Sequence, residues 1–133
     1  SEMCIRDSAE IIGLGAAVAY VNSLNRETLN LEEQSLIEST LDALSGIPRI
    51  ELIGNPTERL SVISFNIEGA HPHDVGQILD QQGVAVRTGH HCTMPLMSRL
   101  DIPGTVRASF SFYSNQEDSR RLIEAVEKAT DLL

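Results

Sequence analysis

The stretch RIELIGNPTERLSVISFNI, residues 49–67, decides the fold that we expect. The hydrophobic period changes here to one typical of strands, and residues 49–54 and 60–67 are rich in β-branched and aromatic side chains. The segment GNPTE between them, residues 54–58, combines glycine, asparagine and proline, which is typical of a turn. The sequence therefore predicts two consecutive strands at the centre of the chain.

Helical patterns surround these two strands. Residues 9–24 suit a mostly buried helix, and NLEEQSLIESTLDALSG, residues 30–46, predicts a second helix that is capped by Asn30. HPHDVGQILDQQG, residues 71–83, predicts a short helix with proline in its first turn and glycine at its end. Residues 115–133 predict an amphipathic closing helix, with Asn115 as its cap and Asp118 three residues further on.

Two further segments read as strands, VAVRTG at residues 84–89 and TVRASFSF at residues 105–112. The resulting order, α-α-β-β-α-β-β-α, predicts an α+β fold in which a small mixed or antiparallel sheet packs against helices. The length of 133 residues is typical of one domain, so we expect a single core.

Charge and composition limit the binding partners and the cellular compartment that we expect. The net charge is −9, with acidic and basic residues interspersed, so we expect no nucleic-acid partner and no anionic lipid surface. The longest apolar stretch, IIGLGAAVAYV at residues 11–21, is too short to span a bilayer. Two cysteines do not make a disulfide scaffold, which favours free thiols in a reducing compartment.

The segment TGHHC, residues 88–92, follows the third predicted strand, which we expect to end at about Arg87. Loops at strand ends often carry functional side chains on a rigid scaffold. Cationic neighbours such as Arg87, His90 or His91 would lower the pKa of the Cys92 thiol and make it a better nucleophile. The segment therefore indicates a reactive cysteine.

Two alternatives to a reactive cysteine stay open at this point. Cys92 could be a buried apolar residue, because free cysteine is among the most buried residue types. Its partners would then be Met94, Leu96 and Met97. A small metal-binding module is the other alternative, but its spacing matches no usual zinc pattern and adjacent histidines tend to point apart, so we predict no metal. Its ligands would come from His71, His73, His90, His91 and Cys92.

The segment RTGHHCTMPLM, residues 87–97, followed by VRASFSFYSNQEDSRRLIEAVEKA, residues 106–129, resembles the C-terminal part of the SufS-type cysteine desulfurases. These are pyridoxal-phosphate enzymes of the class V aminotransferase group, and selenocysteine lyases are their relatives. ISFNIEGAHPHDV and LDQQGVAVRTG fit the same pattern, so that the likeness runs from about Ile11 to Leu133. The fold implied is the small C-terminal domain of fold-type I pyridoxal-phosphate enzymes.

The resemblance also implies roles for individual residues. Cys92 would be the nucleophile that takes sulfur from substrate cysteine and carries it as a persulfide. Arg107 would bind the substrate carboxylate, which a guanidinium can hold through two parallel hydrogen bonds. Arg87 would help to position the substrate or Cys92. The active-site loop would consist of Thr88, Gly89, His90 and His91.

At the level of the enzyme, the resemblance implies conversion of L-cysteine to L-alanine, with the sulfur passed to iron–sulfur cluster assembly. The expected acceptor is a SufE- or SufU-type protein, and the expected enzyme is a cytoplasmic homodimer. Selenocysteine lyase activity is the alternative within the family.

Two features depart from the family pattern. The only lysine is Lys128, in the closing helix, whereas the family attaches its cofactor to a lysine in a Ser-x-His-Lys setting. Residues 1–8, SEMCIRDS, stand where the family has Gly-Thr-Pro, and we interpret them as foreign to the family. We therefore expect residues 9–133 to be a single C-terminal domain without the large cofactor-binding domain, and to be inactive alone.

Overall fold

The computed structural model describes residues 2–54, 62–90, 94–110 and 114–133, with side chains described from residue 9 onward. The chain divides into two compact units, Ser1–Leu31 and Glu32–Leu133. The first unit contains helix α1 (Glu2–Ser23) and the beginning of helix α2 (Arg26–Ser45). The second unit contains the rest of α2, all the strands and the remaining helices.

Helix α1 is helical as predicted, but the prediction of a mostly buried helix is wrong. Its large apolar side chains are between 42% and 72% exposed. These side chains belong to Ile11, Ile12, Leu14, Val18, Tyr20 and Val21.

The second unit is built on a four-stranded sheet in which every pair of neighbours is antiparallel, in the order β1-β2-β4-β3. This architecture confirms the predicted α+β fold. The strands are β1 (Ile50–Ile53), β2 (Val62–Ile67), β3 (Arg87–Gly89) and β4 (Thr105–Ser109). The helices beside α2 are α3 (Pro72–Gln81), α4 (Met94–Leu100) and α5 (Gln116–Leu132).

One face of the sheet packs against helices and forms the core. Because successive side chains of a strand point to opposite faces, Ile63, Phe65 and Ile67 of β2 share a face with Val106 and Ala108 of β4. All five are buried, and helices α2, α3 and α5 pack against this core face. Their buried contributions are Leu36, Ile37, Leu44, Val75, Leu79, Leu122, Ala125, Val126 and Ala129.

The opposite face of the sheet, which we call the polar face, carries polar and charged side chains. It presents Ser64 and Asn66 from β2, Arg107 from β4 and Arg87 from β3. The alternation of the strands thus separates the residues that stabilise the fold from the residues predicted to act on a substrate.

The ends of two helices agree with the sequence prediction. In α5, Asn115 accepts a hydrogen bond from the Asp118 amide, and the Asp118 carboxylate accepts one from the Asn115 amide, both at 3.0 Å. This arrangement is the predicted capping box. Helix α3 is closed by Gly83, which follows its C-cap Gln82 and has φ +77°, and the amide of Val84 donates to the carbonyl of Leu79 at 3.0 Å. This closure is a Schellman motif, for which glycine is the favoured residue.

The starts of α2 and β3 differ from the prediction. Helix α2 begins at Arg26 instead of residue 30, because Asn25 accepts from the amide of Thr28 and caps it, so Asn30 lies inside the helix. Strand β3 begins at Arg87 instead of residue 84, because the Val84 amide is already bound to the end of α3.

Helix α4 was not predicted at all. It has only seven residues, and Pro95 stands at its second position, where a missing amide hydrogen costs nothing.

Candidate active site

The register of the sheet brings the two predicted arginines together. Arg87 is the direct partner of Arg107 across β3 and β4, and Arg107 is the direct partner of Ser64 across β2 and β4. Directly opposite residues of an antiparallel pair project from the same face, with their Cβ atoms about 4.5–5.5 Å apart. Both guanidinium groups therefore leave the polar face side by side.

The two arginines differ in their surroundings. Arg87 is exposed, whereas Arg107 is half-buried. The Nε of Arg107 is inaccessible to solvent, and the described part of the chain offers it no hydrogen-bond partner. A buried donor without a partner is unfavourable, so this group favours an incoming acceptor. A carboxylate fits best, because it can accept two parallel hydrogen bonds from one guanidinium.

Strand β3 leads from this arginine pair into the segment that contains Cys92. The strand continues to Gly89, two residues beyond the predicted end, and Gly89 has φ +112°, which glycine adopts without strain. His90 follows it and is exposed. His91, Cys92 and Thr93 lie outside the described residues, so their predicted roles stay predictions.

Thr88 is predicted to be part of the active-site loop, and the structure places it in strand β3. It is the direct partner of Val106, whose side chain is fully buried on the core face. Because the side chains of Arg87 and Thr88 must point to opposite faces, Thr88 projects toward helix α3 and away from the arginines.

The chain that contains Cys92 leaves the sheet and returns to it at a single point. We call residues 90–103 the Cys92 loop, and the contact between Gly89 and Gly104 its neck. A Cβ on Gly104 would come within 2.8 Å of the backbone carbon and oxygen of Gly89, so only glycine fits there. Asn66 of β2 donates from Nδ2 to the carbonyl of Gly104 at 2.9 Å.

Sequence reasoning missed Asn66 and Gly104. The only signal available was an amide residue at a polar position of an alternating strand, in ISFNI. Nothing in that pattern indicates that the amide is 93% buried, since exposed asparagines occur at such positions as well.

The residues after Cys92 bear on the alternative of an inert, packed cysteine. Met94 and Leu96, two of its three proposed packing partners, are 58% and 47% exposed, while Met97 is buried. Two of the three side chains are therefore turned to solvent and do not build an apolar pocket.

The metal alternative has limited support in the described part of the chain, where no three His, Cys, Asp or Glu side chains are close enough to hold an ion. His71 has a structural role, because its Nδ1 accepts from the amide of His73 at 3.1 Å and caps helix α3. His91 and Cys92 are outside the residues covered by that statement.

The described residues do not fit a Schiff-base cofactor site. Lys128, the only lysine, is exposed on α5. Helix α5 packs against the core face through Leu122 and Val126, whereas the arginine pair lies on the polar face. A surface cavity of about 390 Å³ between the end of β4 and α5 is lined by Phe110, Ser114 and Arg121 among others, and by no lysine.

None of the helices in the described part of the chain has the length and apolar character needed to cross a bilayer.

Comparison with known proteins gives a consistent family. The model of the aminotransferase class-V family matches residues 6–122. A cysteine desulfurase of Serratia proteamaculans is 44% identical over 127 residues, which are 96% of this chain and 31% of the relative. The chain thus spans about a third of the length of the curated relatives that it matches.

Solved structures of similar proteins agree. The crystal structure of the cysteine desulfurase CsdA (S-sulfonic acid) from Escherichia coli superposes with a TM-score of 0.84 at 32% identity, over 92% of this chain and 30% of that one. The apo structure of a cysteine desulfurase from Thermococcus onnurineus gives the same TM-score at 35% identity, over 92% of this chain and 31% of that one.

Proposed function

The chain belongs to the aminotransferase class-V family, and from this premise we propose that it forms the C-terminal part of a cysteine desulfurase, which converts L-cysteine to L-alanine and carries the sulfur on Cys92. The observation that carries the proposal is the pairing of Arg87 with Arg107 on the polar face, at the strand that leads to Cys92. By the full-length enzyme we mean a desulfurase of the relatives' length that contains this chain.

The arginine pair is suited to an amino-acid substrate. The buried, unpartnered Nε of Arg107 offers a hydrogen bond to a carboxylate, and the exposed Arg87 adds a second positive charge beside it. In this proposal Arg107 holds the substrate carboxylate and Arg87 orients the substrate or Cys92. His90 and His91, with Gly89, shape the loop between the arginines and the thiol.

The proposed sulfur transfer forms one bond and breaks one bond, and it needs no external oxidant or reductant. The Cys92 thiolate attacks the substrate sulfur, and an S–S bond forms while the Cβ–S bond of the substrate breaks. The electron pair of that bond stays on Cβ, which takes a proton and becomes the methyl group of alanine. Cys92 is left as a persulfide, and the neighbouring cationic side chains favour the thiolate that begins the step.

Pyridoxal phosphate is the cofactor of the proposed enzyme, and it would withdraw electrons from the substrate's Cα. The described residues do not supply its lysine, because Lys128 is exposed on the other side of the sheet from the arginine pair. We therefore propose that the cofactor binds in a part of the full-length enzyme outside this chain, and that this chain alone is inactive.

The partners of the proposed enzyme follow the family resemblance. The enzyme is a cytoplasmic homodimer that passes its sulfur to a SufE- or SufU-type acceptor for iron–sulfur cluster assembly. Two observations bear on the compartment and on the partners that we exclude: two cysteines are too few for a disulfide framework, and a net charge of −9 does not favour nucleic acid or anionic membranes.

Substitution of Cys92 tests the proposal directly. The full-length enzyme with Cys92→Ser should release almost no alanine from L-cysteine, because a serine hydroxyl is not ionised near neutral pH. The wild type after one turnover should show one added sulfur on the peptide that contains TGHHCTMPLM in mass spectrometry. Cys4→Ser is the matched control and should leave both results unchanged.

Normal turnover by Cys92→Ser, or an added sulfur on another peptide, would refute the role of Cys92. Wild-type enzyme that processes L-selenocysteine but not L-cysteine would identify it as a selenocysteine lyase instead.

A further inference from the structure

The polar face contains an amide whose position is not explained by stability. Asn66 is only 7% exposed, and its Nδ2 donates to the Gly104 carbonyl at 2.9 Å. Its Oδ1 is buried as well and has no hydrogen-bond partner among the residues that the structure describes. A buried acceptor without a partner costs at least as much as one neutral hydrogen bond gains, so this amide does not increase net stability.

The orientation of the amide follows from its partner. A backbone carbonyl can only accept, so the Asn66 nitrogen must face Gly104, and the oxygen must face away. The hydrogen bond joins residues 38 positions apart and connects the middle of the sheet to the end of the Cys92 loop.

The residue that Asn66 holds is one side of the neck. Gly104 contacts the backbone of Gly89 so closely that no Cβ fits between them. The sheet register supports the same contact, because Gly89 is the direct partner of Thr105, the residue after Gly104. The hydrogen bond of Asn66 therefore fixes Gly104, Gly104 fixes Gly89, and Gly89 is three residues from Cys92.

The return path of the loop is also rigid. Helix α4 ends in a Schellman closure, in which Asp101 has φ +54° and the Ile102 amide donates to the Met97 carbonyl at 3.1 Å. Only Pro103 separates that closure from Gly104. Both the exit of the loop at Gly89 and its return at Gly104 are thus fixed at one place, next to Asn66.

We propose that Asn66 is a positioning residue, which acts through Gly104 to hold the two ends of the Cys92 loop, at Gly89 and Gly104, beside the arginine pair. The inference rests on the proposed function, because it assigns no separate reaction to Asn66. A thiol that is misplaced by about 1 Å from its attack geometry can lose up to about a hundredfold in rate, although the substrate still binds.

The test replaces Asn66 in the full-length enzyme with leucine, which has a similar size and no hydrogen-bonding group. Asn66→Leu should lower kcat for alanine formation about tenfold or more, with KM for L-cysteine within about twofold of wild type. Its Tm should change little, because the variant removes the unpartnered Oδ1 but also leaves the Gly104 carbonyl without this donor. Glu51→Gln is the matched control, since Glu51 is exposed and is the direct partner of Asn66 on β1. The control should leave kcat unchanged.

Asn66→Asp supplies a readout that a general loss of packing would not move. A protonated aspartate can donate its O–H to the Gly104 carbonyl, and an ionised one cannot. The ratio of its kcat to that of wild type should therefore rise as the pH falls through the aspartate pKa, whereas the ratio for Asn66→Leu should not change with pH.

Wild-type kcat in Asn66→Leu, or a pH-independent ratio in Asn66→Asp, would overturn the proposal. If the Asn66 variants do not fold, Gly104→Ala decides, because its Cβ displaces Gly89 and leaves Asn66 in place. Gly104→Ala should then lower kcat with little change in KM, and normal kcat would again overturn the proposal. Wild-type enzyme that forms no alanine would refute the proposed function itself, which separates the two failures.

Discussion

Gly76 of α3 lies directly against Thr88 of β3, and a Cβ built on Gly76 would come within 2.3 Å of the Thr88 Cγ2. Strand β3 is only three residues long, and it carries Arg87 and leads to the Cys92 loop. The contact therefore sets the distance between strand β3 and helix α3, and only glycine at position 76 permits so close an approach.

Gly76→Ala should reduce the free energy of unfolding by about 1–3 kcal/mol, because the added methyl group overpacks a closed contact. Thr88→Ser removes Cγ2, so the double variant Gly76→Ala/Thr88→Ser should recover much of the loss. Equilibrium urea unfolding of the four proteins in a double-mutant cycle measures the coupling. Gly13→Ala is the control: nothing lies within 4 Å of its Cβ, so we expect a gain of about 0.5–1 kcal/mol.

Additive effects of the two substitutions would show that α3 and β3 move apart freely. The close contact would then have no role in placing the strand.

Arg49 joins three parts of the second unit through its guanidinium. Its Nε and Nη2 donate to the Glu68 carbonyl at 3.1 and 2.7 Å, and its Nη1 donates to the Thr130 carbonyl near the end of α5 at 3.0 Å. Arg49→Lys should cost about 1–2 kcal/mol in urea unfolding, because an ammonium cannot reach both carbonyls. Lysine is preferable to glycine here, since it leaves the unfavourable φ of +70° unchanged.

The control for Arg49→Lys is Arg26→Lys. In the native protein the Arg26 guanidinium donates to the exposed side chain of Asn22. That variant should change stability by no more than about 0.5 kcal/mol. An equal loss in both variants would exclude a special contribution of Arg49.

Thr40 of α2 and Ser119 of α5 form a buried hydroxyl pair, with their oxygens 2.5 Å apart. The Thr40 hydroxyl donates to the Leu36 carbonyl at 2.6 Å, so its single proton is used and Ser119 must donate to Thr40. Thr40→Val should cost about 1–3 kcal/mol, because it leaves the Ser119 donor buried without an acceptor. Adding Ser119→Ala should restore part of that loss, as measured by thermal or urea unfolding.

A double variant that is less stable than Thr40→Val would contradict this account. The pair would then contribute through packing of its carbon atoms instead of its hydrogen bond.

Arg107→Lys in the full-length enzyme should raise KM for L-cysteine about tenfold or more, because lysine is a point charge and cannot form two parallel hydrogen bonds with a carboxylate. Arg120→Lys on the exposed surface of α5 is the matched control and should have normal kinetics. Steady-state kinetics with L-cysteine measure both variants. An unchanged KM in Arg107→Lys would refute the proposal that Arg107 binds the substrate carboxylate.

Much of the fold could be predicted from the sequence where local chemistry and packing agree. The capping box of Asn115 and Asp118 and the glycine closure at Gly83 were predicted correctly, as was the change of period at residue 49. The family resemblance read from RTGHHC is confirmed by the comparisons.

The errors arose where a backbone group had two possible partners. Asn25 and Asn30 are equally good caps, and the sequence does not show which amide each will meet. Val84 has the propensity of a strand residue, but its amide closes α3 instead of joining β4. The neck between Gly89 and Gly104 is a contact of distant residues with no local signature, and the burial of Asn66 is equally non-local.

The opposite faces of β4 have a consequence for how such sequences can change in length. Val106 and Arg107 are neighbours in the chain, yet one is fully buried in the core and the other faces the proposed substrate. Deletion of a single residue within the strand would invert this parity, placing a guanidinium in the core and a valine at the substrate. Insertions and deletions among homologues should therefore avoid the strands, which should keep a constant length.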